Sequence, residues 1–123
     1  MAYFADLSEY SYSSDGPQPP AVLLNVGWLA ADHPFSTGAC PAHFVTRLRE
    51  LAKAPVAPMR GLHWCEFCPR PVDYERTPRG SGEIRVRGTG QTVYTAPTLI
   101  VHYVEAHRYR PPEEFIAAVL NAG

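Results

Sequence analysis

The spacing Cys65-x-x-Cys68 followed by His102-x-x-x-x-His107 constrains this chain more than any other feature it carries. Two thiols and two imidazoles make up the ligand set of a tetrahedral zinc site. If one Zn2+ takes all four, two segments far apart in sequence must meet. A site closed by four protein ligands leaves no place for water and is structural, whereas catalytic zinc keeps its fourth position open. His63 competes as a ligand: it stands two residues before Cys65, so on an extended strand both side chains point the same way. The preferred set is therefore Cys65, Cys68, His102 and His107, with His63 as the alternate for either later histidine. The reading without metal, with both histidines as ordinary helix residues, stays open at this stage.

Five residues between histidines do not keep both on one face of an ideal helix. Spacings of three to five nevertheless serve zinc fingers, because a last helical turn can distort, and Pro111-Pro112 closes this segment. Pro97 opens it, with Thr95 or Ala96 near the cap. Leu99, Tyr103 and Ala106 form an apolar stripe widened by Ile100 and Val104. Upstream, Glu83-Ile84-Arg85-Val86-Arg87 alternates, Gly88-Thr89-Gly90 turns and Gln91-Thr92-Val93-Tyr94 returns, the pattern of a β-hairpin. Ile84, Val86 and Val93 share one face, the other carries Arg85, and the arginines are expected to face solvent. Residues 69–82 read as a polar loop.

The remaining segments are short. With 13 prolines and 9 glycines in 123 residues, loops are many and one modest core is expected, of the kind a metal staple supports. Residues 1–20 carry Tyr3, Phe4, Tyr10 and Tyr12 without regular spacing and then a Pro/Gly cluster, which suggests an arm laid across the domain. Residues 21–29 form a buried strand or extended segment ending near Gly27, and Pro41 to Ala54 an amphipathic helix built on Phe44, Leu48, Leu51 and Ala52. Glu113 to Asn121 is a last helix, with acids in its first turn and Phe115, Ile116, Val119 and Leu120 on its apolar face. Cys40, before Pro41, reads as a small buried or half-buried thiol. The expectation is one zinc-binding domain over 1–123: an aromatic arm (1–20), a strand and helix (21–59), a zinc unit (60–110) and a C-terminal helix (111–123).

No apolar run approaches the ~20 residues of a membrane helix, and Met1 to Asp6 lacks the basic start and apolar centre of a signal peptide. A cytoplasmic location is expected, where a CxxC serves metal or redox chemistry rather than a disulfide framework. A thioredoxin-like role would need a βαβ pattern beside the motif, and none is present. For a zinc hydrolase, Glu105 or Glu66 is the candidate base. His-x-x-Glu-x-His matches neither metalloprotease order, however. Residues 60–110 hold eight arginines against five acids. This modest excess is far short of a nucleic-acid footprint, and Ala, Pro and Arg enrichment together also follows from GC-rich coding.

Four blocks, Asn25 to Leu29, Arg60 to Cys68, Gly82 to Val86 and Ala96 to Pro112, resemble those of a family of small bacterial proteins of unknown function. The resemblance spans Tyr3 to Val119 and implies a standalone domain, with no activity attached. The expectation is an α+β fold, a short sheet or hairpin packed with about three helices around a zinc-stapled core like a zinc finger or treble clef. The leading function is a non-enzymatic binding or adaptor module presenting the arm and the basic hairpin to a protein partner. A zinc-dependent, nuclease-like hydrolase and a nucleic-acid-binding protein without catalysis are the alternatives.

Overall fold

The computed structural model describes residues 3–9, 21–55, 63–68, 79–80 and 82–122. Along the chain run β1 (Val22–Asn25), α1 (Ala42–Ala52), β2 (His63–Trp64), β3 (Arg79–Gly80), β4 (Glu83–Arg87), β5 (Thr92–Pro97), α2 (Ile100–His107) and α3 (Glu113–Asn121). Among the described residues these give a three-stranded mixed sheet, ordered β1-β5-β4, and three helices, an α+β architecture. β1 lies parallel to β5, β4 antiparallel to it, and β2 pairs with β3 in a separate two-stranded ribbon.

The hairpin forms where alternation and turn chemistry place it. Val86 faces Tyr94 in register, Arg87 faces Val93, and Gly90 takes φ 61 in the turn. Its second strand runs further than the sequence suggests. Thr95, Ala96 and Pro97 belong to β5 instead of opening α2, which starts at Ile100 with Leu99 at its N-cap. Tertiary partners override the capping preference: Thr95 is fully buried, its hydroxyl lies 3.3 Å from Asn25 Oδ1, and its carbonyl accepts from Val26 N–H and the Trp28 indole. A proline at a strand end sacrifices no needed ladder bond.

The expected solvent face of the hairpin needs a second correction. Arg87 is exposed, but the Arg85 side chain is only 15% exposed and pairs at 3.3 Å with Glu83, itself 2% exposed. Both faces of β4 are therefore covered over Glu83 to Val86. Simple alternation reports the apolar face correctly and says nothing of what lies on the polar one.

The core joins sheet to helices. α1 contributes Phe44 and Leu48, the sheet Ile84, Val86, Tyr94 and Ala96, and α2 and α3 their apolar stripes, with Phe44, Leu48, Ile100, Tyr103, Phe115 and Val119 fully buried. Phe115 meets both Phe44 and Tyr94 edge to face, a favoured aromatic arrangement. Pro112 caps α3 by accepting from Phe115 and Ile116, and Glu113 and Glu114 occupy the first turn, where the helix dipole favours acids.

The arm is described from Tyr3 to Glu9; Tyr10, Tyr12 and the Pro/Gly cluster lie outside the described residues, as do 69–78 and 81 of the expected 69–82 loop, whose Arg79–Gly80 instead form β3 because they find a pairing partner in β2. The arm runs beside β1. Leu7 N–H donates to Asn25 O, Asn25 N–H to Ser8 O and Phe4 N–H to Trp28 O. Gly27 closes the junction with φ 79, and a Cβ there would stand 2.7 Å from Ile100 Cδ1, so both backbone and packing require glycine. Among the described residues no helix is long and apolar enough to cross a membrane.

Candidate metal centre

The Cys65–Cys68 turn follows β2, and the backbone N–H groups of Phe67 and Cys68 point at the Cys65 sulfur. A thiolate gains from such donors, and a tight turn brings its two sulfurs to one point. The imidazoles come from α2, whose last turn is stretched. Arg108 N–H and Tyr109 N–H both return to the Tyr103 carbonyl, the second at 3.1 Å, and Arg108 takes the left-handed conformation at φ 57. Five residues of ideal α-helix would set two side chains about 140° apart around the axis. Bonds that span five and six residues widen the turn and narrow that angle. This resolves the histidine spacing.

The four side chains converge. His102 Nε2 lies 3.2 Å from Cys68 Sγ and 3.2 Å from His107 Nε2, and His107 Nε2 lies 3.4 Å from each sulfur. All four donor atoms lie within 4.8 Å of one another. Zinc bonds of about 2.0–2.1 Å to nitrogen and about 2.3 Å to sulfur set tetrahedral edges of roughly 3.3–3.8 Å, and these four contacts, at 3.2–3.4 Å, fall at or just below the short end of that range.

The chemistry of the donors passes the same test. Burial, aided by Cys68, pushes the Cys65 thiol up to about 11 against the two backbone donors, and burial together with His107 lowers His102. Neutral imidazoles offer lone pairs, and buried thiolates need a cation beside them. His102 and His107 also bring two ring nitrogens within 3.2 Å of each other, a contact that needs a proton or a cation between them. Cys65, Cys68, His102 and His107 could therefore hold a metal ion. His63 lies in β2, with its side chain outside the described part of the structure, and Cys40 stands apart, half-buried, with its sulfur 3.8 Å from Tyr109 O.

Neither candidate base is free. Glu66 Oε1 accepts the Ala31 N–H at 2.9 Å, and Glu105 takes a two-pronged contact from Arg49 at 2.9 and 2.7 Å. Both contacts tie elements together: Glu66 holds the thiol turn to the segment after β1, and Arg49 joins α1 to α2.

Three neighbours escaped the sequence reading. Phe67 packs on His107 at 5.5 Å, on Tyr103 at 5.9 Å and on Phe35 at 5.1 Å between ring centroids. An aromatic inside the CxxC was the available signal for it. Tyr103 is fully buried near the thiols, and its hydroxyl has no hydrogen-bond partner among the described residues. Tyr109 donates to both carboxylate oxygens of Asp6 at 2.9 Å; no local spacing connects two residues so distant in sequence.

The family model described as a domain of unknown function (DUF7919) matches residues 2–120. No curated protein and no solved structure matches the chain.

Proposed function

The chain belongs to the DUF7919 family of unknown function, and from the site itself we propose a non-enzymatic binding module whose fold is clamped by one structural Zn2+. The observation that carries this is the convergence of four protein donors. Two thiolates and two imidazoles fill a tetrahedron and suit zinc over hard cations, which prefer oxygen ligands. The ion would neutralise the buried thiolates and lock the thiol turn to the end of α2.

The engagement of Glu66 and Glu105 weighs against a hydrolase, which would need a carboxylate free to move a proton and an open ligand position. The arginines weigh against nucleic acid as the main partner. Arg47, Arg49, Arg85 and Arg110 each pair with a glutamate, and among the described residues Arg87 and Arg108 have no such pair. A protein or small-molecule partner is the favoured reading, and a cytoplasmic location accords with reduced cysteines.

Elemental analysis of the purified chain should find about one zinc per molecule, and X-ray absorption should find two sulfur and two nitrogen ligands with no water oxygen. Removal of that ion by a strong chelator should abolish cooperative thermal unfolding, because structural zinc binding is largely folding free energy. A water on the metal together with hydrolytic turnover would overturn the reading.

A further inference from the structure

Away from the metal centre, the arm and the segment after β1 line an open cleft of about 380 Å³. That size suits a small organic ligand. Tyr3, Phe4 and Phe35 supply aromatic walls, Leu29 an apolar one, and Asp6 is the one charged side chain of the lining among the described residues. The rings are held from behind: Phe4 sits edge to face on Trp28 at 5.6 Å, Phe35 on Phe67 at 5.1 Å and on Tyr109 at 5.9 Å, and Tyr3 stacks on His33 at 3.7 Å.

Asp6 is fixed by neutral donors. Gly27 N–H donates to Oδ1 at 3.0 Å, and the Tyr109 hydroxyl donates at 2.9 Å to both oxygens. Burial and the Asp6 charge raise Tyr109 far above its ordinary value, which keeps it a donor. No cationic side chain pairs with Asp6 among the described residues. A carboxylate has room for about four hydrogen bonds, so this one retains acceptor capacity and an uncompensated charge. Aromatic faces attract the same sign of ligand through their quadrupoles, and anions are repelled.

We propose that this cleft is a binding site for a small organic ammonium ion, its nitrogen on Asp6 and its apolar part against Phe4, Phe35 and Tyr3. The proposal deepens the binding-module reading and rests on it, but it depends on no property of the metal beyond an intact fold. The metal clamp contributes indirectly, since Phe67 bridges His107 to the Phe35 wall.

Benzylamine titrated into the zinc-loaded chain, followed by amide chemical shifts, should give saturable changes at Gly27, Phe35 and Ser36. Benzyl alcohol, similar in shape but neutral, should bind at least about tenfold more weakly, and Asp6→Asn should weaken benzylamine by a similar factor, roughly one charged contact in affinity. Asparagine keeps an acceptor for Gly27 and Tyr109. Tyr3→Ala, which removes a half-buried wall without touching the core, should weaken benzylamine several-fold and serves as the second variant. Equal affinity for amine and alcohol, or no saturable change at these amides, overturns the proposal. Because the metal measurements use no amine, either conclusion can fail while the other stands.

Discussion

A serine at position 68 preserves the shape of the turn but replaces a soft thiolate with a hydroxyl that stays protonated. Cys68 contacts both histidine nitrogens, at 3.2 and 3.4 Å, so Cys68→Ser should lose the metal and with it cooperative unfolding. Cys40→Ser should retain the metal and cost about 1 kcal/mol or less, since its half-buried sulfur packs at the margin of the core and its polar contacts, a long one to Tyr109 O and one with Arg110, remain open to a hydroxyl. Elemental analysis and thermal melts of both variants check the pair. Metal loss on changing Cys40 would refute the ligand set. The four donors were legible because ligand type and spacing are local properties of a sequence. The buried Arg85–Glu83 pair and the Tyr109–Asp6 pair were not, because each depends on which strands or segments become neighbours.

At the scale of elements, periodicity located α1, α3 and the hairpin, since burial of one face repeats along each of them. The start of α2 departs from its capping signal for a physical reason: Thr95 carries a capping side chain but is held in β5 by Asn25 of β1 and by Trp28 just beyond it. The end of α2 holds the more useful lesson. Its stretched turn needs Arg108 at φ 57, a conformation that costs an L-residue roughly 1 kcal/mol and costs glycine little. Arg108 is exposed and forms no ion pair among the described residues. Arg108→Gly should therefore stabilise the fold by about 0.5–1 kcal/mol and leave the metal in place. Denaturant midpoints measured with zinc bound would check this, and a loss of stability would mean that the turn is not held by the left-handed residue.

Across the whole molecule, two buried tyrosines tie separate elements together through carboxylates, Tyr94 joining the sheet to α3 and Tyr109 the end of α2 to the arm. Tyr94 donates to Glu114 at 2.6 Å, and burial first, then that carboxylate, pushes it up to about 12; burial and Asp6 raise Tyr109 further. In the unfolded chain both ionise near pH ~10. Below that pH the folded and unfolded chains bind these protons equally, and the stability tied to them is complete. Between about 10 and 12 the unfolded chain sheds protons that the folded one keeps, so the balance moves toward unfolding as pH rises. The chain should accordingly lose stability over that interval, and the share of the tyrosinate absorbance that belongs to Tyr94 and Tyr109 should appear together with unfolding rather than before it. Tyr94→Phe keeps the ring against Phe115 and gives up only a bond to the exposed Glu114. It should shift the alkaline unfolding midpoint upward and flatten the decline, whereas an unchanged midpoint would mean that Tyr94 ionises freely in the folded protein.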